Sequence, residues 1–266
     1  MATAATLNLV RTGPREAPPV VLLHSAGLDL TYWDPQIAAL RECHDVVAVD
    51  LPGHGRSPAR AADITIDTVT HAVAVAVAAL AAGPVNLVGL SVGGLVAQAV
   101  ALDHPQLVSS VTLIDTAARF GPAAQTAMRG RAETTRNEGM GAILDGLFAH
   151  WFEPETRRAR PDLIDRATKT LLQQDPHVHA ALWEMISSFD VLDRLREVLV
   201  PALVLVGEHD SSSPVSSSEE LAANLPRAVM HVVSNAAHLS PIERPHAVTR
   251  QLAAFLESLP ANRGSA

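Results

Sequence analysis

The sequence predicts an α/β fold, a mostly parallel sheet with helices on both faces. Three observations carry this. Short β-favouring runs recur at Val20–Leu23, which is continuously apolar, and at Val46–Val49, Val85–Val88, Val108–Ile114 and Pro201–Val206. Runs of this kind mark strands buried on both faces. Segments of helical length alternate with them, which implies parallel strands joined by crossovers. The run at Val85–Val88 leads at once into Gly89-Leu90-Ser91-Val92-Gly93 and then into the helical pattern Leu95–Leu102. Strand, G-x-S-x-G and helix together read as a nucleophile elbow.

Taken in order, Thr6–Val10 is expected as an edge strand and Pro14–Pro19 as a turn-rich connection. After Val20–Leu23 comes the loop His24–Asp29. Trp33–Arg41 reads as a helix, with Thr31 or Asp34 as cap. Val46–Val49 runs into Asp50–Ser57. Asp67–Ala82 alternates Val and Ala, but its length and its place between two strands favour a helix, ended by Gly83-Pro84. His104-Pro105 ends the helix after the elbow. The alternation then breaks. From Arg119 to about Asp193 there are helical patterns, clearest at Asp162–Leu172 and His177–Ser188, and no convincing strand. It resumes with Pro201–Val206, a helix from Ser213 or Ser216 to Leu225, a strand at Val229–Val233 and a terminal helix over Pro241–Leu259, with a frayed end from Pro260. We therefore expect a core in two parts, residues 1–118 and 196–266. Between them, residues 119–195 form a helical lid, inserted after the sixth core strand over the strand C-termini where such sheets bind ligands.

Composition narrows the function classes. A net charge of -8 argues against nucleic-acid binding. The single Cys43 excludes an intramolecular disulfide and is expected as a small buried residue. The longest apolar run, Ala72–Ala82, is too short to span a bilayer, and the first ten residues lack a signal-peptide pattern. The expectation is a soluble, cytoplasmic protein with a small-molecule substrate and no membrane partner; a homo-oligomer stays open. The twelve His are scattered without ligand spacing, so no metal is expected.

A serine hydroxyl needs a base to act as a nucleophile, and the base needs an orienting carboxylate. The elbow motif predicts the chain order Ser, acid, His, each after a strand. Asp210 follows Pro201–Val206 and His238 follows Val229–Val233, so Ser91, Asp210 and His238 are the candidate catalytic residues. Glu208 and Asp115 rival Asp210 for the acid slot. The oxyanion requires two N–H donors. Val92 supplies one, and Ala26 the other, with Ser25 as the alternative.

Ser91, Asp210, His238 and the His24–Gly27 loop, in this order, resemble the α/β-hydrolase fold over nearly the whole chain. Ser25–Gln36, Asp115–Gly121, the Arg136–Trp151 region and Ala237–Glu243 are similar to 3-oxoadipate enol-lactonases. The pattern departs at His24 and at Leu51-Pro52, where that family usually carries Asn and Arg. The resemblance implies a lid of several helices over the serine, no cofactor, and opening of a lactone or small carboxylic ester that carries a carboxylate arm. Substrate contacts are then expected from Ser25, from Trp151 and Phe152 as apolar walls, with lid-to-core packing as their alternative, and from one lid arginine among mostly solvated ones, with Arg119 and Arg136 favoured by position. The alternatives are carbon–carbon bond hydrolysis of a diketone-like ring-cleavage product, cofactor-free perhydrolysis, and a non-catalytic receptor.

Overall fold

The computed structural model describes residues 7–260. Thr6, the expected start of the first strand, and residues 261–266 of the expected frayed end lie outside the described residues. Seven strands form one sheet: β1 (Leu9–Thr12), β2 (Pro19–Leu23), β3 (Asp45–Val49), β4 (Val85–Leu90), β5 (Val108–Ile114), β6 (Ala202–Gly207) and β7 (Ala228–Val233). Their spatial order is β1-β3-β2-β4-β5-β6-β7. Only β1 runs antiparallel, against β3. Every residue of β2, β3, β4 and β6 is buried, which explains why these strands are apolar apart from Asp45 in β3 and Asn86 in β4. The edge strand β7 exposes Val229 and Val232.

The order of strands reverses between β2 and β4. The chain leaves β3, crosses β2 through a helix and enters β4 on the other side. That crossing opens a crevice at the C-terminal ends of β2 and β4, where open α/β sheets place ligands. Helices α1 (Asp34–Leu40), α2 (Ile66–Ala79) and α3 (Val92–Asp103) lie between the first strands. The Val/Ala stretch is helical because Val69, Val73 and Val77, four apart, form one buried stripe. Thr65 and Thr68 close a capping box at its start. Neither Thr31 nor Asp34 caps α1; Asp29 instead caps a short 3-10 turn, Leu30–Trp33, that leads into it.

The helical insert holds α4 (Pro122–Glu138), α5 (Leu144–Trp151), α6 (Pro154–Ala159), α7 (Pro161–Leu172) and α8 (Pro176–Ser187). Counted along the described residues it follows the fifth strand, one earlier than expected. Proline opens α4, α6, α7 and α8, where its missing N–H costs no helical bond. After β6 come α9 (Val215–Asn224), α10 (Ser240–Glu243) and α11 (Pro245–Ser258). The expected single terminal helix is broken at Arg244, because the residue before a proline is driven out of helical conformation. Cys43 is exposed, contrary to expectation: it sits on the turn between α1 and β3 rather than in a strand. No helix among the described residues is long and apolar enough to cross a membrane.

At the β4–α3 junction two glycines are required by space. A Cβ on Gly89 would collide with the backbone of Gly93 and Gly94, and one on Gly93 with the carbonyls of Leu23 and His24. Both obstacles are backbone and have no rotamer to escape into. Gly93→Ala should therefore destabilise the fold by about 1–3 kcal/mol. A urea midpoint equal to that of the wild type would refute the close packing.

Candidate active site

Ser91 caps α3 with φ 54° and ψ -115°, a conformation that non-glycine residues rarely adopt. Its N–H donates to Ile114 O at 2.9 Å and its carbonyl accepts from Thr116 Oγ1 at 2.8 Å, so the strained residue is held from both sides. Asp115 and Asn235 also have positive φ and sit after β5 and β7, at the same end of the sheet. Among the described residues, three of the four non-glycine residues with positive φ lie around this crevice, as strain does at functional sites; the fourth, Ala81, precedes β4.

Three side chains from three loops join there. Ser91 Oγ lies 2.9 Å from His238 Nε2, and His238 Nδ1 donates to Asp210 Oδ2 at 2.9 Å. Asp210 Oδ1 accepts the backbone N–H groups of Ser212 and Ser213 at 2.8 and 2.9 Å. The acid is thereby fixed before it meets the imidazole. Burial alone lowers the His238 pKa, but the charge of Asp210 and its hydrogen bond outweigh this and hold it above the ordinary 6.5. The rival carboxylates are engaged elsewhere. Glu208 accepts from Asn235 N–H. Asp115 accepts Gly207 N–H and Ser240 N–H at 2.8 Å each, tying the end of β6 to the loop after His238. Burial and the neighbouring Asp210 push the Asp115 pKa well above the carboxylate range.

The loop after β2 lies against the elbow because Gly93 packs on Leu23 and His24. Val92 N–H, the first of α3, and Ala26 N–H donate to no protein acceptor among the described residues. Two histidines shape this loop. Gly27 N–H donates to His54 Nε2 at 3.0 Å, and Leu51 N–H donates to His24 Nε2 at 3.0 Å. Burial lowers the pKa to about 4 for His24 and about 3 for His54, so both rings are neutral acceptors at neutral pH. Ser25 is fully buried with its hydroxyl unpartnered, and it is not among the residues that line the cleft beside Ser91.

A cleft of about 680 Å³, including its open mouth, adjoins Ser91 and His238. Its lining mixes apolar residues (Leu95, Phe120, Met128 and Ile186) with polar ones (Arg131, His150 and Ser211–Ser213). The expected substrate contacts need correction. Arg119 and Arg136 do not line this cleft: they are exposed and paired with Glu220 at 2.5 Å and Glu184 at 2.7 Å. Trp151 and Phe152 do not line it either. They are 2% and 1% exposed and pack on Phe148 in the core. The aromatic residues that line it are Phe120 and Trp183.

Arg131 was not singled out by its sequence context. It is half-buried, stacks 4.4 Å from the Trp183 ring and makes no ion pair among the described residues. Burial lowers its pKa. A signal was present: Met128, Ala132 and Thr135 form the buried stripe of α4, and Arg131 falls within it at three residues from Met128. A lone charge on an apolar stripe marks a group that needs a partner.

Comparison with known proteins identifies the fold family. Residues 18–245 match the family model described as the alpha/beta hydrolase fold. The chain is 27% identical to 3-oxoadipate enol-lactonase 2 of Acinetobacter baylyi, covering 94% of this chain and 93% of that one. Among solved structures it resembles the enol-lactonase from Burkholderia xenovorans, at 33% identity and a TM-score of 0.90 over 96% of this chain and 99% of that one. It also resembles a thermophilic esterase from Thermogutta terrifontis, solved with malate bound, at 32% identity and a TM-score of 0.88 over 95% and 93% of the two chains. With a parallel sheet, a strained elbow serine and a matching model over most of its length, the chain belongs to the α/β-hydrolase family.

Proposed function

We propose that the protein hydrolyses a lactone or small carboxylic ester bearing a free carboxylate, through an acyl-enzyme on Ser91. The observation that carries the chemistry is the unbroken line from Ser91 Oγ through His238 to Asp210. In this reading His238 Nε2 takes the Ser91 proton as Oγ bonds to the carbonyl carbon. The oxyanion so formed is met by the N–H groups of Val92 and Ala26, preorganised and free of other acceptors. Collapse breaks the bond to the ring or alkoxy oxygen, which takes the proton back from His238. A water then gives its proton to His238, attacks the acyl carbon and releases the acid, restoring Ser91. Asp210 keeps the imidazole in the Nδ1–H tautomer and stabilises its cation.

The carboxylate preference rests on Arg131. A half-buried guanidinium in the wall of the cleft, lying 4.4 Å over the Trp183 ring and lacking an acidic partner among the described residues, is suited to grip an anionic arm. Enol-lactonases and a malate-bound esterase stand among the similar proteins, and malate is a dicarboxylate. This supports the same substrate class.

Ser91→Ala should lower kcat by several orders of magnitude, since the members of such a unit fail together. A serine-directed phosphonate should label wild-type protein once, at Ser91, as read by mass spectrometry; turnover retained in Ser91→Ala would end the mechanism. Arg131→Ala should raise KM roughly 10–100-fold for esters with a carboxylate arm, the equivalent of about 1.5–3 kcal/mol for a charged hydrogen bond. Neutral esters of the same size should change far less, and equal losses would refute the assignment of Arg131.

The pH profile follows from His238. It acts as base when neutral, and its pKa lies above 6.5, so kcat/KM should rise with pH through an inflection above that value. Asp210→Asn removes the raising charge, and the residual activity should then show its inflection at lower pH. An unmoved inflection would show that another group controls the limb.

A further inference from the structure

The end of α5 is wedged between the two loops that carry Asp210 and His238. His150 Nδ1 pairs with Ser211 Oγ at 2.8 Å, and Glu153 Oε1 accepts from His209 Nδ1 at 2.7 Å. These two partners flank Asp210. Trp151 O accepts Leu239 N–H at 3.2 Å, directly after His238. Glu153 N–H donates to Glu243 Oε1 at 2.8 Å, and the other oxygen of Glu243 accepts Ala237 N–H at 2.7 Å, directly before His238. One four-residue stretch of the insert therefore touches both sides of the acid and, directly or through one carboxylate, both sides of the base.

Glu243 is the centre of this arrangement. It is 7% exposed. Burial raises its pKa, while Thr156 and the two N–H donors act in the opposite direction. Keeping a carboxylate in such a place costs stability unless its oxygens are satisfied. A carboxylate is acceptor-only and can take one N–H from each segment at once, which an amide cannot do without turning its NH₂ toward a donor.

We propose that Glu243 is a positioning residue for His238, joining the loop before the imidazole to the end of α5 so that the insert holds the Ser91–His238–Asp210 line in register. The insert is then part of the machinery for the chemical step as well as the wall of the cleft. The inference rests on His238 acting as base, which phosphonate labelling of the wild type tests separately.

Glu153 allows the bond to be cut without touching Glu243. Its φ of -53° suits proline, and Phe152 before it is extended at φ -127° and ψ 141°, as a residue preceding proline must be. Glu153→Pro deletes the N–H donor together with the carboxylate, and Glu153→Ala deletes the carboxylate alone. Relative to Glu153→Ala, Glu153→Pro should lose at least about tenfold in kcat while KM stays within about threefold, with rates normalised to the phosphonate-labelled fraction. Its kcat/KM inflection should move to lower pH as the Asp210–His238 contact loosens. Equal kcat in the two variants, or a loss confined to KM, overturns the proposal. Glu243→Gln, nearly isosteric, provides the same reading if Glu153→Pro does not fold: a wild-type kcat overturns the proposal, and a kcat loss at constant KM supports it.

Discussion

The steric closure at Gly89–Gly93 is the constraint on which the rest of the site depends. Backbone meets backbone there, so β4, α3 and the end of β2 have one way to pack. That packing forces Ser91 to positive φ and sets Val92 N–H beside the loop of Ala26. Such strain costs on the order of 1–3 kcal/mol per residue, and it recurs at Asp115 and Asn235. The fully buried strands β2, β3, β4 and β6 offset it. A sheet wet on one face would have less apolar burial to set against three strained junctions.

Polar groups under the crevice follow one rule. Asp115, Asp210 and Glu243 each accept two backbone N–H groups, always from segments that must be kept together or held in a turn. His24 and His54 are neutral and each accepts one N–H. These groups act as struts that hold loops at fixed distances. Loops at the end of a sheet have few ladder bonds of their own, so buried acceptors replace the ladder where the strands stop.

Much of this was legible in the sequence, and what was not has a physical reason. The buried strands declared themselves because both faces are apolar. Ser91 is read from its G-x-S-x-G motif, and Asp210 and His238 from position, since each follows a strand and chain order assigns the loops. The insert was legible only as helical. Its α4 carries few apolar residues, so its buried stripe of Met128, Ala132 and Thr135 does not stand out, and Arg131 within that stripe is one of eight arginines between Arg119 and Asp193. Arg119 and Arg136 stood out by sequence position, but their acidic partners, Glu220 and Glu184, are distant in the chain. Pairing across such distances is a tertiary fact that no local pattern encodes. Trp151 and Phe152 were recognised as important apolar residues, yet periodicity cannot tell a cleft wall from a core wall. Cys43 misled for the reverse reason: residue type favours burial, while a turn leaves it outside.

The contrast between the arginines bears on how selectivity and chemistry are divided in the proposed reaction. An exposed ion pair such as Arg136–Glu184 contributes at most about 1 kcal/mol and tolerates change. Arg131 has the opposite balance: partial burial destabilises its charge, and no carboxylate in the described structure repays it. The Trp183 ring face supplies part of the compensation. An anionic substrate would supply the rest, turning a folding cost of the free protein into binding energy. The reacting groups need no such partner, because Asp210 already balances His238. In the proposed reaction, selectivity can therefore change through α4 and α8 without disturbing the Ser91 line, so long as the short stretch at the end of α5 keeps its hydrogen bonds to the two loops.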